Sequence, residues 1–291
     1  MEQLSNKKIE EILNSCKIED KLDKRLLQEN LNTFLQQKAV LGFDIYRYSK
    51  FPLTEQSLIP YIFKKLYNYT ISNCLKHEEF IFQKYKTSDF KNNFIDTGDG
   101  GFQIFDTPFE SLIFALYFQG NIQRFNSGFL PNLLDLKDLV GEITLRYSLT
   151  FDSIYTFNNN FYGPSIINNA RIISKDKLNR FLVDENTYLW FRQNINGLEN
   201  LIVLDQRDFK SIEIMKNFDF EKTVTYLFEN KPNGARILNV DLLKIGEVIS
   251  KLDKVSIYSL YIQTYMKSPG RELEKIVVTI GNLNTSGIIE D

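Results

Sequence analysis

The stretch Ala39-Val40-Leu41-Gly42-Phe43-Asp44-Ile45 decides the fold. It is a short apolar run ending in a carboxylate, the pattern of a buried strand. Pro52, then Thr54 and Glu55, open a helix expected over about 54–76. Strand character returns at 79–85 and 93–96. Gly98-Asp99-Gly100-Gly101 then forms a tight turn into Phe102-Gln103-Ile104-Phe105. Pro108 starts a second helix, to about 126. Residues 141–151 alternate apolar and polar positions (Ile143, Leu145, Tyr147, Leu149), as a half-buried strand does. Gly163-Pro164 introduces a third helix to about Ser174, followed by a strand at 180–183 and a helix after Asp184. Further strands are expected at 201–204, 211–215 and 224–228. A turn at Pro232-Asn233-Gly234, a helix over about 239–252 and two strands ending near Gly281 complete the chain. Ahead of all this, Ile9, Ile12, Cys16, Leu22, Leu26, Leu31 and Leu35 recur at helical spacing. That segment reads as one or two amphipathic helices, either packed on the main domain or serving as a dimerisation or control element. Strands alternating with helices around a central hairpin give an α+β or α/β sandwich.

Composition narrows the function. The 291 residues are 43% hydrophobic and 25% charged, with a net charge of -2, an ordinary globular balance without the basic excess of a dedicated nucleic-acid binder. No apolar run reaches the roughly 20 residues of a membrane helix, and the first residues lack an apolar signal core, so a cytoplasmic protein is expected. Cys16 and Cys74 form no ligand pair or disulfide framework. His77 is the only histidine. This excludes multi-histidine zinc sites and leaves carboxylates, hard cations, Arg and Lys to carry any chemistry.

Two carboxylates stand apart. Asp44 ends a strand, and Asp99 sits between glycines where another group can approach the backbone. Each has a plain alternative, a helix-capping Asp44 and an ordinary Asp-Gly hairpin at Asp99. Together on neighbouring strands they suit a hard divalent cation whose shell is completed by phosphates. The turn Ile45-Tyr46-Arg47-Tyr48-Ser49-Lys50 leads into a helix N-terminus, a geometry that suits a polyphosphate.

These residues resemble a family. Phe43-Asp44-Ile45-Tyr46-Arg47-Tyr48-Ser49 is similar to the first metal motif of class III nucleotidyl cyclases. Thr97-Gly98-Asp99-Gly100 is similar to their second metal turn. Tyr162-Gly163-Pro164-Ser165-Ile166-Ile167-Asn168-Asn169-Ala170-Arg171-Ile172 resembles their aromatic-glycine motif, with its Asn and Ala-x-Arg, and Asn179-Arg180-Phe181-Leu182-Val183-Asp184 the strand after it. Order and spacing fit over about 38–218. Departures are specific: the purine-reading positions hold Ile95 and Asn160, and the family's Asn four before the Arg falls on Ile167, with Asn168 one place late. Two metal aspartates kept and the purine-reading Lys lost most resemble the pyrimidine cyclases of bacterial Pycsar anti-phage systems.

The resemblance implies an α+β, class III cyclase-like sandwich: a central, mostly antiparallel sheet flanked by helices, with an appended C-terminal α/β region. It implies a catalytic domain at 38–218, beside the helical segment at 1–37 read from its own spacing and an α/β extension of unread role at 219–291 that lies outside the resemblance. It implies two divalent cations, Mg²⁺ or Mn²⁺, at Asp44, Asp99 and Ile45, with Arg171 and Asn168 catalytic. Candidates for the base and triphosphate are Tyr46, Arg47, Tyr48, Asp96, Asn160, Arg207 and Lys210. Tyr46 and Tyr48 equally suit core packing. The implied reaction makes cyclic UMP from UTP, or cyclic CMP from CTP, in a homodimer, for a separate effector. A purine cyclase and an inactive nucleotide-sensing cyclase fold are the alternatives.

Overall fold

The computed structural model describes residues 35–157, 160–194, 236–249, 254–267, 275–282 and 284. Within them the chain runs β1 (Gln36–Ile45), α1 (Leu53–His77), α2 (Thr87–Asn92), β2 (Phe94–Asp96), β3 (Gly100–Phe105), α3 (Pro108–Asn126), α4 (Leu134–Val140), β4 (Leu145–Phe157), β5 (Asn160–Tyr162), α5 (Pro164–Lys175), β6 (Phe181–Asp184), α6 (Glu185–Asn194), β7 (Arg236–Ile249), β8 (Lys254–Lys267) and β9 (Lys275–Ile280). The strands form one sheet in the order β2-β3-β1-β4-β6-β8-β7, with β5 on β4 and β9 on β8. Among the described strands only the β4–β6 pair is parallel. This is the expected α+β architecture, a mostly antiparallel sheet with helices against it.

Successive residues of β1 face opposite sides of the sheet. Phe43 points to α1 and α3, where its ring meets Phe118 at 5.2 Å and Phe63 at 5.8 Å. Phe82, Phe90, Phe105 and Phe114 extend that aromatic core. α3 enters it through a capping box: Glu110 N–H donates to Thr107 Oγ1 (3.4 Å) while Thr107 N–H donates to Glu110 Oε2 (3.0 Å), with Pro108 in the first turn.

Val40, Gly42 and Asp44 face the other side, where α5 lies. Asn169 of α5 is wholly buried. Its amide donates to Val40 O (2.5 Å), Ser148 O (3.3 Å) and Thr150 Oγ1 (3.2 Å), and its oxygen accepts from Ser148 Oγ (2.5 Å). A Cβ on Gly42 would stand 2.0 Å from that oxygen, so only glycine lets the helix come this close. Asn169→Leu leaves these buried groups without partners. It is expected to cost about 2–4 kcal/mol, read as a melting temperature lower by roughly 5–10 °C.

Asp184, buried at the start of α6, accepts from Thr187 N (2.9 Å) and Phe151 N (3.3 Å). Burial pushes its carboxyl up from 3.8 to about 7. The folded chain therefore favours the protonated acid, and the stability it contributes is full below about pH 4 and lost as pH rises through 7. Melting temperature should fall between pH 5 and pH 8 in the wild type and fall less steeply in Asp184→Asn.

Three expectations are corrected. Residues 239–252 were expected to be a helix, but β7 holds 236–249 as a strand paired with β8. Residues 79–85 are successive turns, with Ile81 N and Phe82 N both donating to Glu78 O at 3.0 Å, because Ile81 and Phe82 are both buried and a strand cannot bury neighbours on one face. Gln36 and Gln37, expected to end the N-terminal helical segment, open β1. The short helices α2 and α4 have no counterpart in the sequence reading. The N-terminal segment through Phe34, the strands expected at 201–204, 211–215 and 224–228, and the turn at Pro232 lie outside the described residues, as does Cys16. β8 pairs directly with β6, so the C-terminal strands continue the same sheet. No described helix is long and apolar enough to cross a membrane.

Candidate functional site

β1 and β3 run antiparallel with Asp44 opposite Gly100 and Phe43 opposite Gly101. The turn from β2 to β3 therefore folds back onto the end of β1, and Ile45 N–H donates to Asp99 O (2.9 Å). Asp96 Oδ1 accepts from Gly98 N (2.8 Å), which shapes that turn. The fit depends on glycine, since a Cβ on Gly100 would meet Phe43 O at 2.1 Å and Asp44 Cα at 2.6 Å. The two carboxylates singled out in the sequence are thus brought to one sheet end, and the charge of Asp99 is felt at Asp44.

Sequence reasoning missed Arg146. It lies opposite Asp44 on β4, and its guanidinium grips the carboxylate with both arms: Nε to Oδ1 at 2.6 Å and Nη2 to Oδ2 at 2.7 Å. Nη1 donates to Asp176 O (2.6 Å) in the loop after α5. Asp176 is itself fixed by buried Arg180, whose N and Nε donate to it at 2.6 and 3.0 Å. Burial raises the Asp44 carboxyl above the usual range; Arg146 opposes this, and the charges of Asp99 and Asp176 add to it. The available signal was Arg146 as the one basic residue in the alternating segment 141–151, but its partner is a register fact.

The turn after β1 places Tyr46, Arg47 and Tyr48 at the same end. Arg47 takes a left-handed backbone (φ 60°) and lies over the Tyr46 ring at 4.8 Å. Tyr46 OH donates to Lys177 O (2.8 Å), whereas Tyr48 OH donates to Gln56 O (2.8 Å) with its ring against the main core. The amides of Tyr46, Lys50 and Phe51 are used by Thr144 O, Arg47 O and Tyr48 O. Ile45 has a hydrocarbon side chain, buried in the core, so only its main-chain carbonyl offers a cation an oxygen. Among the described residues no group of three or more His, Cys, Asp or Glu could hold a metal.

The remaining candidates lie elsewhere. On α5, Ile167, Asn168 and Arg171 share the face away from Asn169 by their spacing of three and four, with Ile167 half exposed. Asn160, on β5, pairs with Phe157 at the far end of β4, eleven residues along that strand from Arg146. Arg207 and Lys210 lie outside the described residues. His77 ends α1 with its ring 6.5 Å from Tyr117, and Cys74 is buried and free, so neither joins the carboxylates.

No family model matches the chain, and no curated protein matches it. Similar solved structures include the adenylate/guanylate cyclase/hydrolase of Silicibacter pomeroyi, with 12% identity over 78% of this chain and 96% of that one, at a TM-score of 0.42. An adenylyl cyclase of P. aeruginosa shares 10% identity over 82% of this chain and 98% of its own, with a TM-score of 0.42. The dimeric guanylyl cyclase domain of the RhoGC fusion protein of the aquatic fungus Blastocladiella emersonii shares 12% over 77% and 96%, again at 0.42.

Proposed function

We propose that the chain is a metal-dependent pyrimidine nucleotide cyclase, turning UTP, or alternatively CTP, into the 3′,5′-cyclic monophosphate and pyrophosphate. The product would serve as the messenger of a Pycsar-type anti-phage response, read by a separate effector. The observation that carries this reading is the pairing of Asp44 at the end of β1 with Asp99 in the adjoining turn, within motifs that resemble those of class III cyclases. Hard oxygen donors at one sheet end fit Mg²⁺ or Mn²⁺, with Asp44, Asp99 and the Ile45 carbonyl as the protein's share and substrate phosphates as the rest. A divalent cation held there supplies Lewis-acid stabilisation of the ribose 3′-oxygen and the α-phosphate.

The chain's own residues then have distinct tasks. Arg171, on the outer face of α5, neutralises charge gathering on the α-phosphate as the 3′-oxygen bonds to it and pyrophosphate departs. Asn168, one turn before it, orients the same group. Arg47, exposed in the turn after β1, faces the triphosphate, with Arg207 and Lys210 as further phosphate candidates. Tyr46, Asp96 and Asn160 are assigned to the base, whereas Tyr48, with its ring on the core and its hydroxyl donated to Gln56 O, takes the core-packing role instead. Ile95 supports pyrimidine over purine selection: it packs with Val40, Ile104 and Phe102 and offers no donor where a purine-reading Lys would stand.

The reading includes a homodimer, which the placement of the residues supports. Asn160 lies at the far end of β4 from the strand position opposite Asp44, which suits a site completed by a second chain. Tyr155, Phe157, Tyr162 and Ile167 leave apolar surface exposed on the β4–β5 hairpin and α5, where a second copy would dock. A second reading, an inactive nucleotide sensor, is favoured by Ile167 in the position of the family's Asn. The two separate by following pyrophosphate release alongside calorimetry with UTP and CTP. Binding with release supports the cyclase; binding without release, at saturating Mn²⁺, replaces it with the sensor.

A further inference from the structure

We propose that Arg146 is a latch on Asp44, a tethered cation that a divalent ion must displace. This rests on the metal reading of Asp44 and Asp99. A carboxylate offers a cation the in-plane lone pairs of its two oxygens, and a bidentate guanidinium takes one on each. Arg146 holds both oxygens, at 2.6 and 2.7 Å, with only 22% and 18% of the two side chains exposed, so solvent and salt screen the pair weakly. Its third contact, to Asp176 O, is braced by the buried Asp176–Arg180 pair. Arg146 is therefore anchored from the α5–β6 loop and does not drift off when solvent competes. Its positive charge also cancels half of the negative charge that Asp44 and Asp99 would offer an incoming cation.

Cation entry and release of Arg146 are thus linked. The nucleotide-free protein holds its metal carboxylate closed, and removing the guanidinium should open it. The test is Mn²⁺ titration of the nucleotide-free full chain, with free Mn²⁺ counted by EPR and melting temperature measured beside it. Arg146→Gln is expected to bind Mn²⁺ about tenfold more tightly than wild type. Arg146→Lys, which keeps the charge but loses the fork, should fall between them. Should the Gln variant fail to fold, the Lys variant carries the test alone. Equal or weaker binding in the folded variants, with binding lost in Asp99→Asn, overturns the latch and leaves the metal reading standing. Mn²⁺ binding that Asp99→Asn does not alter overturns both.

Discussion

Asp99→Ala is expected to lower turnover by at least about 10³-fold while leaving assembly and melting temperature near wild type. The fold does not depend on this carboxylate. The hydrogen bond that closes the turn uses the Asp99 main-chain carbonyl, which alanine keeps, and the turn is shaped by Asp96. The loss would therefore report chemistry. Asp44→Ala is a poorer probe, because it takes from the half-buried Arg146 the carboxylate it grips with both arms and so disturbs stability as well as chemistry. Turnover by Asp99→Ala near the wild-type rate, measured as cyclic product under saturating Mn²⁺, would remove Asp99 from the metal set.

Arg171→Ala should lose about 10²–10³-fold in turnover, with little change in KM, because the proposed role brings its charge to bear as the transition state forms. It also supports a test of shared sites. If Arg171 and Asp99 of one site come from different chains, mixing the two inactive variants regenerates intact sites in heterodimers. Random pairing makes half of the dimers mixed, each with one intact site of two, so about a quarter of wild-type activity should return. A mixture as inactive as its components, after exchange of subunits has been shown, would place both residues in one chain.

Much of the fold was legible because local signals agreed with the packing. The apolar run of β1, Pro52 before α1, the Thr107-Pro108 start of α3 and Gly163-Pro164 before α5 each act through their own backbone chemistry. Residues 239–252 were misread for a physical reason. β7 carries irregularities in its pairing at Ile237/Asn239 and Lys244/Gly246, and a bulge breaks the two-residue alternation. Buried Ile245 and Val248 then stand three apart, which imitates a helix face. At the site, Asp44 and Asp99 were legible because each is marked by its neighbours, a strand end and flanking glycines. Arg146 was not, because its meaning comes from lying opposite Asp44 across a strand pair 102 residues apart in sequence. Asn169 was hidden differently: one place along from Asn168 on α5, it points into the sheet.

The most direct measurement of the central claim offers the purified chain ATP, GTP, CTP and UTP separately with Mn²⁺ and resolves the products by chromatography. A cyclic monophosphate from UTP or CTP, none from the purines, and none from Asp99→Ala is the predicted result. A cyclic product from ATP or GTP alone, or pyrimidine product undiminished in Asp99→Ala, would contradict it.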